Sequence, residues 1–301
     1  MLVSVIDQLS GLVGNRFKLN AFFPALVASF LGTGLVLIST VGVDAGVDEW
    51  KSHSGLVQGA LGVLAVAGIY AVAAFLDSQS LAIVRAYEGY AGPLKWWGSS
   101  AQAWHRARRD RVKQERPETF RSEYTSTAPA ADNDLLPTRI GNVMRSGELY
   151  ATERYGCDAM VVWPRLLPHV PDAEATMLGQ SRSSMEQLLI LSLILSVFGF
   201  AGGIVFAFQP DSSLWSLGAL VGGWALAGLL YRGAVEHAMA YSLQLKAIFD
   251  AHRLEVFSAL QVSLPRNRSE ERRRWADITS LLAQNHPDVG WPYASAAPVK
   301  E

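Results

Sequence analysis

The chain has 301 residues, of which 50% are hydrophobic and 18% charged, and its formal net charge is −1 at pH 7. That balance excludes a nucleic-acid binder working through bulk positive charge. The single cysteine, Cys157, excludes an internal disulfide and a cysteine-built zinc site.

Residues 1–20 carry Val3, Ile6, Leu9, Val13 and Phe17 at helical spacing, with Arg16 and Lys18 just before the first apolar run, which suits a segment lying on the inner membrane interface or packing on a neighbour. Asp7 and the length of the apolar run that follows argue against a cleaved signal, so that run reads as a retained anchor. Four uncharged apolar stretches occur: Ala21–Val43, Gly55–Leu76, Gln187–Phe208 and Leu214–Tyr231. Each is near the ~20 helical residues that cross a ~30 Å hydrocarbon core. Asn20 suits the N-cap of the first, and Pro24 falls in its first turn, where a missing N–H costs little.

Of the 26 Lys and Arg residues, all but Lys51 lie before the first stretch, between the second and third, or after the fourth. The short loops Asp44–Ser54 and Gln209–Ser213 hold Lys51 against Asp44, Asp48, Glu49 and Asp211. The positive-inside rule then predicts a multi-pass protein of the plasma (inner) membrane with both termini cytoplasmic. The expected fold is all-α and polytopic: four transmembrane helices in two hairpins (21–76 and 187–231), with a cytoplasmic helical domain from 77–186 and 232–301.

Beyond Asp77 the apolar pattern predicts that the second helix continues until Gly89, Gly92 and Pro93 break it. Trp96, Trp97 and Trp104 then precede a basic run, in which Arg106, Arg108, Arg109 and Arg111 suit contact with anionic lipid headgroups, or else a solvated helix face. Residues 117–137 read as a flexible linker. Thr138–Tyr155 has helical periodicity, and Gly156 suits its C-cap. Asp158–Pro171 is apolar and Pro-rich, and reads as a short helical or strand-like piece. The fourth transmembrane helix is expected to run on to about residue 262, with Val235, Met239, Leu243, Phe249, Leu254 and Phe257 on one apolar face and Lys246, Asp250 and Arg253 on the polar remainder. Asp250 and Arg253, spaced i, i+3, suit an ion pair. Ser269–Ala283 completes the predicted helices.

The apolar stretches hold no Asp, Glu, Lys, Arg or His, unlike proton relays and ion-coupled transporters. Hydroxyls at Ser29, Thr33, Ser39, Thr40, Ser192 and Ser196 suit helix packing or the wall of an uncharged pore. Gly199, Gly203, Gly218 and Gly222 form two GxxxG pairs, which suit close packing within the second hairpin or at a subunit interface. None of the six histidines forms HxxxH or HExxH, and no GxSxG or phosphate loop occurs. The expectation is therefore no enzyme, no cofactor and no metal.

Thr138-Arg139-Ile140-Gly141-Asn142, Glu153-Arg154-Tyr155-Gly156, Asp158, Trp163-Pro164-Arg165, Ala247–Arg253 and Phe22-Phe23-Pro24 resemble an uncharacterised family of actinobacterial integral membrane proteins. That resemblance implies an all-helical inner-membrane protein and no known activity. The topology also resembles that of bestrophin-like channels. Arg139, Asn142, Arg154, Asp158, Trp163, Arg165, Asp250 and Arg253 mark the candidate cytoplasmic interaction surface. The functional expectation is an oligomeric membrane-anchored scaffold that meets the bilayer, copies of itself and a cytoplasmic protein, but no nucleic acid. The alternative is an oligomeric ion channel.

Overall fold

The computed structural model describes residues 21–40, 42–90, 94–115, 127–129, 131–209 and 213–284, and no β-strand occurs among them. The expectations for the N-terminal interfacial segment and the Asn20 cap, and most of the 117–137 linker, lie outside the described residues. In chain order the helices are α1 (Phe23–Ser39), α2 (Val43–Ser52), α3 (Gly55–Glu88), α4 (Leu94–Glu115), α5 (Arg139–Tyr155), α6 (Ala159–Leu166), α7 (Asp172–Ala207), α8 (Ser213–Ala259) and α9 (Arg268–Gln284). Short 3-10 turns sit at Asp132–Asp134 and Leu167–His169.

Three helices, α3, α7 and α8, are long and apolar enough to cross a membrane, and α1 with α2 makes a fourth if that pair, bent by 102°, is one span. The first apolar stretch was expected to run straight to Val43, but α1 stops at Ser39. At that end the Val36 carbonyl accepts the Thr40 N–H at 3.0 Å and also the Ser39 and Thr40 hydroxyls, at 3.0 and 2.7 Å. Gly42 then turns the chain at φ 81°, and the residues read as a loop, Asp44–Ser54, form most of α2 instead.

The chain divides into two compact units. The first comprises Met1–Tyr87 and Ser183–Glu236. In it Ala21, Ala25 and Ala73 are fully buried, with Phe22, Ile69 and Leu76 packed around them. Two small faces let α1 and α3 approach closely. Ser192 ties three helices in this unit: its hydroxyl donates to the Ala227 carbonyl at 2.9 Å and accepts from the Tyr87 hydroxyl at 3.0 Å, and Tyr87 stacks on Tyr231.

The second unit comprises Glu88–Arg182 and His237–Glu301. Its core gathers Tyr155, Cys157, Val162, Leu166, Phe249, Val256, Phe257, Trp275 and Ile278. Trp275 is fully buried, 4.5 Å from the Phe257 ring centroid, and burying a side chain of this size contributes on the order of 2–3 kcal/mol. α3 ends at Gly89, which has the left-handed φ of 92° that a side chain resists. α5 starts against that end. Thr138 caps it, accepting from the Gly141 N–H at 3.0 Å while its hydroxyl donates to the Glu88 carbonyl. A Cβ at Gly141 would collide with the same carbonyl, so only glycine permits the approach. Gly156 closes α5 in the left-handed conformation, with the Cys157 N–H reaching back to the Ala151 carbonyl.

Candidate functional site

The densest polar cluster of the second unit lies where α5, α8 and α9 meet. Tyr150 and Tyr155 are five residues apart on α5, and both donate their hydroxyls to Asp250 of α8, at 2.7 and 2.6 Å. The expected Asp250–Arg253 ion pair does not form. The Asp250 carboxylate is taken by the two phenols, whereas the Arg253 guanidinium donates to the backbone carbonyl of Asp250 and, at 2.7 Å, to Glu271 of α9. Arg253 also lies 4.3 Å over the Tyr155 ring, and Arg154 stacks near both tyrosines. Burial, followed by the hydrogen bond and charge of Asp250, pushes the Tyr150 hydroxyl above its ordinary value, which keeps it a donor.

One turn before Asp250, Lys246 is only 8% exposed, and its ammonium donates to Ser146 at 2.7 Å. Burial lowers its pKa to about 8. Lys246 was expected on the polar side of the helix. Yet its phase is shared with Val235, Met239 and Phe249, a signal that places it on the buried face. Among the described residues the Ser242 hydroxyl beside it has no hydrogen-bond partner. Tyr150, Ser146, Lys246 and Glu271 were not singled out from sequence, because their pairings span about a hundred residues or a separate helix.

The other candidate residues are dispersed. Asn142 is 3% exposed and clamps the loop before α5, accepting from the Leu136 N–H at 2.7 Å and donating to the Leu136 and Thr138 carbonyls. Asp158 caps α6 by accepting from the Met160 N–H at 2.9 Å. Trp163 packs against the core. Arg165 is exposed and bonds the Val161 carbonyl, and Arg139 and Arg154 are exposed. Cys157 is buried, and burial pushes its thiol up, so it stays protonated and unreactive.

The basic run falls on α4. Arg106 and Arg109 both pair with Asp132, Arg108 lies over Trp104, and Arg111 is exposed. Arg109 holds the Asp132 carboxyl below its ordinary value. Trp96 and Trp97 fall in the first turn of α4, and their side chains lie outside the described part.

In the first unit, Gly199 of α7 meets Gly223 of α8: a Cβ on Gly199 would stand 2.9 Å from the Gly223 Cα. Gly203 faces Leu220. The hairpin is therefore packed by Gly199 and Gly203, whereas Gly218 and Gly222 look into open space. An apolar groove of about 270 Å³ runs beside this contact, lined by Phe30, Gly34, Ile38, Phe198, Gly202 and Ala219 among others. The hydroxyls considered for a pore wall are otherwise engaged at four positions: Ser39, Thr40 and Ser196 bond their own helices, and Ser192 bonds α8.

Among the described residues no group of three His, Cys, Asp or Glu side chains is placed to hold a metal ion. No family model, curated protein or solved structure matches this chain.

Proposed function

We propose that the chain is an oligomeric membrane-anchored interaction protein, with the second unit on the cytoplasmic face. The observation that carries this reading is the mutual pairing of the polar side chains where α5, α8 and α9 meet. Asp250 is satisfied by two tyrosines, Arg253 by Glu271 and Asn142 by its own loop. A site built for catalysis keeps reactive groups facing a space for substrate. Here the paired groups hold α5, α8 and α9 together, while Arg139, Arg154, Asp158 and Arg165 stand on the surface. The distribution of Lys and Arg supports the cytoplasmic placement.

The test is to purify the full-length chain into nanodiscs, measure the mass of the assembly and record from planar bilayers. A mass above one chain, with silence across voltage, pH and Ca²⁺, supports the scaffold. A strict monomer removes it. Reproducible unitary conductance replaces it with the oligomeric channel.

A further inference from the structure

Residues 167–178 of the second unit carry the chain from α6 into the first turns of α7, and they pack on the core through Val170, Ala175 and Leu178. Pro168 and Pro171 bring no backbone N–H, so few backbone bonds hold the turn. The Val170 N–H reaches the Leu167 carbonyl at 3.1 Å, and the Ala175 N–H reaches the Pro171 carbonyl at 3.0 Å.

The same stretch is tied to α8 through a histidine. His252 of α8 has a carboxylate at each ring nitrogen. Its Nδ1 lies 2.9 Å from Glu255 of the same helix, and its Nε2 lies 3.3 Å from Glu174 in the first turn of α7. His169, in the turn itself, faces the other Glu255 oxygen at 3.8 Å. Among the described residues no Lys or Arg pairs with Glu174 or Glu255, so the cations available to these carboxylates are imidazoles. A neutral imidazole has one N–H. It donates to Glu255 or to Glu174 and turns a lone pair towards the other. Only the imidazolium donates to both. The His252 side chain is 14% exposed, so little water stands ready to replace the lost bond.

We propose that His252 is a proton-operated latch, which holds residues 167–178 on α8 when its ring is charged and lets them open when it is neutral. The groups that face it are Glu174 from α7 and Glu255 from α8, with His169 of the turn acting through Glu255 in the same direction. The hydrogen bond to Glu255 outweighs the cost of burial and, with the Glu174 bond and both negative charges, raises His252 above its ordinary 6.5. The tie is therefore complete below pH 6.5 and is lost as pH rises through the folded value. Opening bares Val170 and Leu178, both 7% exposed in the closed form. The proton thus controls whether an apolar edge of the second unit meets solvent.

Hydrogen exchange of the full-length chain in nanodiscs tests the latch, from about pH 6 to about pH 8.5 and corrected for intrinsic exchange chemistry. Protection of residues 169–178 is expected to fall several-fold across that range in the parent. His252→Lys, charged throughout, should stay flat and protected, and His252→Gln, neutral throughout, should stay flat and open. The ring of His252, followed by NMR in histidine-labelled protein and assigned with His252→Gln, should titrate above 6.5. Glu174→Gln, at a side chain 44% exposed, should bring that midpoint down without unfolding the chain. A parent profile without the fall, a fall that survives His252→Gln but vanishes in His169→Gln, or a His252 midpoint at or below the ordinary value overturns the latch.

Discussion

Asp250 shows how little a residue type alone reveals. On α8 it reads as half of a local ion pair, and it instead accepts from two phenols of α5. Removing the carboxylate leaves two hydroxyls stranded, one of them on the 6% exposed Tyr155. Asp250→Ala is expected to cost about 2–4 kcal/mol and Tyr155→Phe about 1–2 kcal/mol in urea unfolding of the second unit. Unchanged midpoints would show that the cluster does not hold the helices. Lys246 adds a pH signature. Its folded pKa of about 8 lies below the ordinary 10.5, so the unfolded chain binds more protons between those values and stability rises with pH there. At about 1.4 kcal/mol per pH unit the rise is on the order of 3 kcal/mol. Lys246→Met should flatten that part of the curve relative to the parent and raise stability at pH 7. A parallel pair of curves would show that the ammonium is not buried. The pairings were not legible in sequence, because the partners are distant along the chain; only the burial of Lys246 showed there, in the phase it shares with Val235, Met239 and Phe249.

At the scale of the element, periodicity and punctuation were informative. The all-helical class, the long apolar helices α3, α7 and α8, the break at Gly89 and the cap at Gly156 follow from local rules that the chain obeys. The exception is the first apolar stretch, where Gly42 turns the chain into α2. Hydropathy measures the affinity of a segment for lipid, and it does not register the left-handed backbone that glycine permits. Glycine roles also needed three dimensions. Spacing marks Gly199, Gly203, Gly218 and Gly222 alike, and only the first two are pressed against a neighbour. Gly199→Leu should therefore disrupt the α7–α8 hairpin and lower expression in the membrane, while Gly222→Leu should leave expression unchanged. Equal effects from the two would contradict this packing. Gly141→Ala, which drives a methyl into the Glu88 carbonyl, should cost about 1–3 kcal/mol by urea unfolding.

For the whole molecule, the division into two units, each with its own interior, predicts unfolding in two steps. In lipid, hydrogen exchange under rising urea should open the second unit while residues 188–206 of α7 stay protected, the outcome that the proposed insertion of α7 requires because hydrocarbon offers no water to a backbone. Trp275→Ala should move only the first step, by about 3–5 kcal/mol. A single transition that shifts as one would show that the units do not unfold independently.

The unbroken run of α8 also sets how this protein can change its length. Within the second unit Lys246 must meet Ser146, and eleven positions later Phe257 must meet Trp275. Every residue inserted or deleted between them turns the downstream part by about 100°. One such event would leave Lys246 on Ser146 and swing Phe257 away from Trp275. Insertions of 7 or 11 residues, close to whole numbers of turns, would nearly restore the bearing. Variation in this stretch is therefore expected to be by substitution, with changes in length confined to the loops between helices.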